Sequence, residues 1–194
     1  MKKKLYELIA QYPMLTPEEV LLIVDRSKIQ QFPKGTYLLK EGQISNNCYL
    51  VIEGCVRQFI IKDGEEKTTA FYTEGEPVNS FTSATNKSKS NYYLVCVEDC
   101  TLTVGSDSLE EEISKLIPRL ESIIRQEVER YSGIYQDEIS KFITHTAEER
   151  YLDLVENRPY LIQRVPQHQI ASFIGVTPES LSRIRKRMVE KNRN

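Results

Sequence analysis

The chain has 194 residues, 40% of them hydrophobic and 28% charged, which is ordinary for a globular protein. Its net charge is −2, but residues 163–194 carry seven basic and two acidic side chains. This C-terminal segment therefore has a net charge of +5 and the remainder of the chain one of −7, which indicates that the C-terminal end contacts a polyanion. No apolar run reaches the ~18 residues of a membrane span, and Glu7 and Gln11 interrupt the N-terminal segment, which argues against a signal peptide and favours the cytoplasm.

The first half of the chain is predicted to form a helical segment followed by a β-barrel. Up to about Asp25 the pattern is helical: Thr16 is placed to cap "PEEVLLIVDR", Pro17 is first in the helix and Glu19 completes a capping box. Residues 28–106 contain six of the eight glycines and the short β-rich runs "TYLLKE", "CYLVIE", "CVRQFIIK", "KTTAFYT", "YYLVCVED" and "TLTVG". "KDGEEK" has the Asp-Gly pair of a hairpin turn. Many short strands at regular turn spacing are typical of a jelly roll or barrel, so the predicted fold class is α+β.

A long helix is predicted to follow the barrel. From Ile113 to Phe142 apolar residues recur at steps of three and four, the spacing of a helix with one apolar seam. The seam predicted to pair two subunits consists of Ile113, Ile117, Leu120, Ile124, Val128, Tyr131 and Tyr135. Pro118 is expected to bend the first turns. Packing on the chain's own barrel is the alternative, but a second subunit is favoured because one small barrel is too short to cover the seam.

Beyond residue 144 the sequence predicts further helices, of which the last two surround a tight turn. Thr146 and Glu149 have the pattern of a capping box, and Pro159 follows the end of that helix. In "VPQHQIASFIGVTPESLSRIRKRM", Gly175 supplies the turn and Thr177 caps the last helix. The inward positions are Ile170, Ala171, Ile174, Leu181 and Ile184. This is the spacing of a helix-turn-helix. The predicted domains are 1–108 (N-terminal helix and barrel), 109–143 (dimerisation helix) and 144–194 (helix-turn-helix).

The outward face of the last helix predicts a surface that contacts DNA. Arg183 is suited to hold guanine through two hydrogen bonds, and Glu179 to accept one from a cytosine amine. Neighbouring basic and hydroxyl side chains would mostly hold phosphates. The predicted DNA-binding residues are Gln167, His168, Thr177, Pro178, Glu179, Ser180, Ser182, Arg183, Arg185, Lys186 and Arg187. The alternative is a helical hairpin with a solvated basic face.

In order along nearly the whole chain, these segments resemble the cyclic-AMP receptor protein and fumarate–nitrate regulator (Crp/Fnr) superfamily of bacterial transcription factors. "FPKGTYLLKEGQISNNCYLVIEGCVR" and "DGEEKTTAFYTEGE" resemble its barrel, and "AEERYLDLVENRP" with "IASFIGVTPESLSRIRK" resembles the branch common in Bacteroidetes. The resemblance implies a cyclic-nucleotide-binding-like double-stranded β-helix, a dimerisation helix and a helix-turn-helix with Glu179 and Arg183 contacting bases. Pro178 departs from the pattern, since the family often has an Arg there, and a full β-wing after Lys186 is expected to be missing.

The resemblance also implies an effector site in the barrel, although not one for cyclic AMP. The family's cyclic-nucleotide branch holds the ribose with a Glu and the phosphate with an Arg, and the matching stretches "VNSF" and "SNYY" contain neither. From Gln58 to Pro118 the sequence has no Arg, so a bidentate phosphate clamp is missing there. The candidate pocket for a small neutral ligand consists of Asn79, Ser80, Thr82, Ser90 and Asn91. An ordinary polar loop is the alternative.

The four cysteines, at 48, 55, 96 and 100, do not have the spacing of an iron–sulfur or zinc site. Cys96 and Cys100 share one face of a predicted strand and are either a redox pair or buried thiols that fill the barrel, the second being favoured. Both histidines, His145 and His168, lie outside the barrel, so a haem or the metal of a cupin-type enzyme would lack a His ligand there. We therefore predict no cofactor, no metal site and no enzymatic activity.

Together these patterns predict a dimeric transcription regulator that binds a near-palindromic site in double-stranded DNA, with an unidentified effector, if any, in its barrel. RNA polymerase is considered as a further partner, and a membrane is not. The alternative is a small-molecule-binding barrel protein whose basic tail does not contact DNA bases.

Overall fold

The computed structural model describes residues 1–78 and 88–191, which belong to two compact units. The first unit comprises Met1–Phe59 and Phe71–Glu129, and the second comprises Ile60–Ala70 and Arg130–Asn194. This grouping differs from the predicted division after residues 108 and 143. A strand hairpin, 60–70, belongs with the C-terminal helices, and the other boundary falls inside a long helix. Over the described ranges, we find no helix with the length and apolar character needed to cross a bilayer.

The first unit begins with two helices, α1 (Lys2–Ile9) and α2 (Pro17–Arg26). Thr16 caps α2 as predicted: its side chain accepts a hydrogen bond from the Glu19 N–H, while the Glu19 carboxylate accepts one from the Thr16 N–H. The capping box satisfies two backbone donors that the first turn leaves open. The two helices share an apolar cluster with the barrel, formed by Leu5, Ile9, Val20, Val24 and Ile52.

Eight described strands form two four-stranded sheets. They are β1 (Ile29–Phe32), β2 (Tyr37–Leu39), β3 (Tyr49–Glu53), β4 (Val56–Lys62), β5 (Glu65–Tyr72), β6 (Pro77–Val78), β7 (Tyr93–Cys96) and β8 (Cys100–Thr103). The strand orders are β1-β8-β3-β6 and β2-β7-β4-β5, which confirms the predicted jelly roll. Asp63 and Gly64, both at positive φ, form the predicted turn between β4 and β5. The sequence patterns missed β1, whose two central glutamines are exposed, and β6, which has only two residues.

The prediction of one continuous helix from Ile113 is wrong. The chain forms α3 (Asp107–Leu116) and α4 (Leu120–Thr144), and the break surrounds Pro118, which has no N–H to continue the first helix. Ile113, Ile117 and Leu120 are 7%, 2% and 8% exposed and pack with Leu22, Ile23, Leu109 and Ile124. These three predicted seam residues therefore lie in the core of their own unit.

The second unit contains four further helices: α5 (Ala147–Asn157), α6 (Pro159–Arg164), α7 (Gln167–Phe173) and α8 (Pro178–Lys191). The capping box of Thr146 and Glu149 is confirmed, because each side chain accepts a hydrogen bond from the other's backbone N–H. Pro159 does not simply follow the end of α5: it is the first residue of α6. Proline is suited to that position because the first N–H of a helix has no intrahelical acceptor.

Candidate nucleic-acid interface

Helices α7 and α8 pack against each other around a tight turn. The side chains between them are Ile170, Ala171, Ile174, Leu181 and Ile184, all at most 4% exposed. The turn passes through Gly175 at φ +75°, a left-handed conformation that favours glycine. The Val176 N–H then donates to the Ala171 carbonyl at 2.9 Å. The inward positions predicted from the sequence are thus buried.

The first turns of α8 form a connected set of polar side chains. Thr177 Oγ1 accepts a hydrogen bond from the Ser180 N–H at 3.3 Å and donates to Ser180 Oγ at 3.2 Å. Ser180 Oγ also accepts from Arg183 Nη2 at 3.0 Å. The guanidinium of Arg183 is therefore held near the start of α8, although it is exposed. A held side chain loses less conformational entropy when it binds.

Glu179 is exposed on the first turn of α8. Its own backbone N–H, the Thr177 hydroxyl and the nearby charge of Arg183, in that order, hold the pKa of this carboxyl below its usual range. The carboxyl is consequently ionised at neutral pH and offers only hydrogen-bond acceptors. Acceptor and donor thus lie side by side in Glu179 and Arg183.

Most of the other predicted DNA-binding residues are also on the surface. The exposed ones are Gln167, His168, Thr177, Pro178, Ser182, Lys186 and Arg187, while Ser180 and Arg185 are half-buried. Arg187 is already engaged, because its Nη2 lies 3.3 Å from Glu148 Oε2 on α5. Its ion pair braces α8 against α5, so the predicted phosphate contact would have to compete with this interaction.

A contact that the sequence patterns did not predict joins α7 to the hairpin of β4 and β5. Ser172 Oγ accepts a hydrogen bond from the Thr68 N–H at 2.9 Å and donates to the Glu66 carbonyl at 2.9 Å. One hydroxyl thereby occupies the donor and acceptor of an edge strand, as a neighbouring strand would. No local pattern signals this pairing, since 104 residues separate Ser172 from Thr68.

The predicted effector pocket is only partly within the described residues, since Asn79, Ser80 and Thr82 lie outside them. Ser90 is buried, and its hydroxyl is engaged by the backbone of Tyr92, from which it accepts at 3.2 Å and to which it donates at 2.9 Å. Asn91 is exposed. The hydroxyl of Ser90 therefore stabilises its own loop, which is the role that the alternative prediction gave it.

Arg57 is a buried cation that the sequence patterns did not single out. It lies on β4 at 3% exposure, with its guanidinium carbon 4.5 Å from the centre of the Phe59 ring. Phe59 in turn stacks on Tyr93 with ring centres 4.8 Å apart. Contact with an aromatic face lowers the cost of removing a guanidinium from water.

None of the four cysteines forms a disulfide; Cys48 is exposed and the others are buried. Cys100 Sγ lies 3.4 Å from the Cys55 carbonyl oxygen and 3.3 Å from that of Glu98. Hydrogen bonding to Cys100, together with burial, raises the pKa of the Cys96 thiol. Cys96 is therefore a poor nucleophile. Among residues 1–78 and 88–191, no group of His, Cys, Asp or Glu has the arrangement of a metal site.

The barrel residues match one known family model, and the whole chain is similar to several solved structures. Residues 29–113 match the cyclic nucleotide-binding domain family. The chain is similar to the crystal structure of the Thermus thermophilus catabolite activator protein, with 22% identity, a TM-score of 0.57, and coverage of 93% of this chain and 87% of that one. It is also similar to the c-di-GMP-responsive global regulator CLP of Xanthomonas campestris, with 17% identity, a TM-score of 0.70 and coverage of 91% and 93%.

FixK2 of Bradyrhizobium japonicum is a third similar structure, with 17% identity, a TM-score of 0.68 and coverage of 86% of each chain. No curated protein sequence matches the chain significantly. The proposed Bacteroidetes branch stays a prediction. Residues 29–113 thus match the cyclic nucleotide-binding domain family, and the chain shares the fold of these three solved structures.

Proposed function

We propose that this chain is a sequence-specific DNA-binding transcription regulator, in which α7 and α8 form a helix-turn-helix and α8 enters the major groove. The observation that carries the proposal is the contrast between the two faces of α8. Leu181 and Ile184 are 1% and 4% exposed, while Glu179, Arg183 and Lys186 are on the surface. A helix anchored on one side and ionised on the other offers the donors and acceptors that base edges and phosphates require.

The exposed side chains of α8 are assigned to two kinds of contact, with bases and with phosphates. Arg183, already held by Ser180, has the planar fork that fits the two acceptors of guanine. The ionised Glu179 beside it is suited to a cytosine amine. Lys186 is a point charge without such geometry, and it is assigned to a phosphate.

We assign dimerisation to the exposed apolar side chains of α4. They are Val128, Ile134, Tyr135, Ile139, Phe142 and Ile143, between 36% and 75% exposed. Apolar side chains that recur along one long helix favour pairing with the same helix of a second copy. The seam then begins after Ile124, later than the sequence predicted, because the earlier residues are buried in their own unit. Two copies would place α8 in successive major grooves about 34 Å apart, on a near-palindromic site.

The barrel is assigned the role of sensor. Its match to the cyclic nucleotide-binding domain family and its two-sheet architecture support a ligand-binding domain. A cyclic nucleotide is disfavoured, because the second half of the barrel has no Arg to hold a phosphate. The effector therefore has no assigned identity, and because its proposed partner is chromosomal DNA, the protein is placed in the cytoplasm.

The proposal is tested by selecting random duplex DNA with the purified full chain at two salt concentrations. We expect a two-fold symmetric motif whose affinity falls as salt rises. Arg183→Ala should enrich the motif without its preference at one base-pair position in each half-site, whereas Arg158→Ala, an exchange outside α8, should enrich the full motif. Recovery of unrelated duplexes at both salt concentrations would contradict the proposal. Tight small-molecule binding without salt-dependent DNA affinity would favour the ligand-binding barrel instead.

A further inference from the structure

We infer that Arg150 is a positioning residue that sets the distance between the two half-sites the protein accepts, because it fixes the turn between α7 and α8 to the end of α4. This inference rests on the proposed function. It concerns the geometry of the dimer on DNA, whereas base identity is assigned to α8. All the residues that carry it belong to the second unit.

The guanidinium of Arg150 donates to three backbone carbonyls from two separate parts of the unit. Its Nη1 lies 2.5 Å from the His145 oxygen and 3.2 Å from the Phe142 oxygen, both at the end of α4. Its Nε lies 2.9 Å from the Ile174 oxygen, directly after α7. The guanidinium carbon is 4.7 Å from the centre of the Phe142 ring. A single side chain from α5 thus joins the ends of two other helices.

These carbonyls are places where a cation is especially favourable. The last four carbonyls of a helix have no intrahelical partner, and the helix dipole leaves partial negative charge there. Arg150 satisfies such groups at the C-terminal ends of both α4 and α7. The planar fork of arginine holds several acceptors in fixed directions, which the single ammonium of lysine does not.

The packing around this contact leaves little room for movement. A Cβ on Gly175 would lie 3.0 Å from Phe142 Cζ and 3.6 Å from Arg150 Nη2, so the turn packs directly against the end of α4. Two ion pairs flank the contact from the same helix, α5. Lys141 on α4 pairs with Asp153 at 2.7 Å, and Glu148 pairs with Arg187 on α8 at 3.3 Å.

The consequence follows from the length of the recognition helix. With 14 residues, α8 is about 21 Å long. Arg183, which is assigned to a base, lies six residues past Thr177 and about 9 Å along α8, so a tilt of about 20° at the turn would move it by roughly 3 Å, close to the ~3.4 Å rise of one base pair. Because α4 is the proposed dimer contact, variation in the angle between α4 and α8 would vary the distance between the two copies of α8, and so between the half-sites they contact. A firmly held turn restricts binding to one spacing.

The experiment measures binding to duplexes that carry the two selected half-sites at the selected spacing and at spacings one or two base pairs longer or shorter. For the wild-type dimer we expect a loss of about tenfold for one added or removed base pair. Arg150→Lys should reduce this loss to about threefold or less, with unchanged base preference inside each half-site. Arg158→Lys is the matched control, an equivalent exchange at the other end of α5, where Nε donates to the Tyr160 hydroxyl.

Thermal unfolding and the mass of the dimer are measured on every variant. If Arg150→Lys does not fold, Asp153→Asn replaces it, because it removes the ion pair to Lys141 that joins α5 to the end of α4 beside the same contact; it should reduce the spacing loss in the same direction. A spacing profile equal to the wild-type profile in the folded variant would overturn the inference. Failure of the proposed function looks different, since the wild-type chain would then yield no two-fold motif at all.

Discussion

Replacing Arg183 with Ala should remove sequence discrimination at one base-pair position in each half-site. The side chain is exposed and held by Ser180 at 3.0 Å, so its loss deletes a prepared donor without disturbing the buried Leu181 or Ile184. A bidentate arginine–guanine contact contributes about 1–3 kcal/mol of discrimination. A dimer makes two such contacts, so the loss is about 2–6 kcal/mol, at least about 30-fold in relative affinity.

The assay is fluorescence anisotropy with two labelled duplexes, the selected site and the same site with the guanine pair exchanged in both half-sites. Each is titrated at about 50 and about 200 mM salt. Lys186→Ala is the matched control: it should keep the discrimination and reduce the salt slope by about 1.8, because each half of the dimer loses one phosphate contact. Two results would refute the base contact of Arg183. Either Arg183→Ala still binds the selected duplex more tightly than the exchanged one, or Lys186→Ala loses this difference in affinity instead.

Three further predictions concern the architecture. Thr146→Ala removes the cap of α5 and should lower the free energy of unfolding by about 1 kcal/mol in urea titrations, whereas Thr144→Ala, outside the capping box, should cost less. Ile139→Asp should give monomers in sedimentation without lowering the stability of the subunit, because this side chain is 60% exposed; a stable dimer would contradict the assigned seam. Ser172→Ala deletes the acceptor of the Thr68 N–H, so hydrogen exchange at that amide should accelerate by about tenfold or more, and unchanged exchange would contradict the contact.

Helix caps and the hairpin turn were predictable because their chemistry is local. Thr16 and Thr146 each bond a Glu three residues later, and Asp63-Gly64 supplies the two positive φ angles that its turn needs. The prediction that the whole apolar seam pairs two subunits was wrong for its first residues, and the reason is physical. Apolar residues at steps of three and four show that one face of a helix is buried, but they do not show whether the same chain or a second copy buries it. Ile113 repeats like Val128, yet only Ile113 is covered by its own chain.

For the candidate site, the sequence predicted which side of α8 is exposed, but it did not predict the contacts of Arg150 and Ser172 that hold the surrounding helices in place. The spacing of Leu181 and Ile184 fixes which side of α8 is buried, so the exposed position of Arg183 follows from helical geometry. Arg150 and Ser172 instead act on backbone groups of distant residues. Every residue has a carbonyl, so the sequence carries no sign of which one a side chain will meet.

Chemical footprinting on the selected site shows whether two copies of α8 contact one duplex. We expect two protected regions on one face of the duplex, with centres about 10 base pairs apart. Both should disappear together in Ile139→Asp, whose side chain lies on the proposed dimer seam. A single protected region, or two regions that persist in this variant as a monomer, would contradict the account.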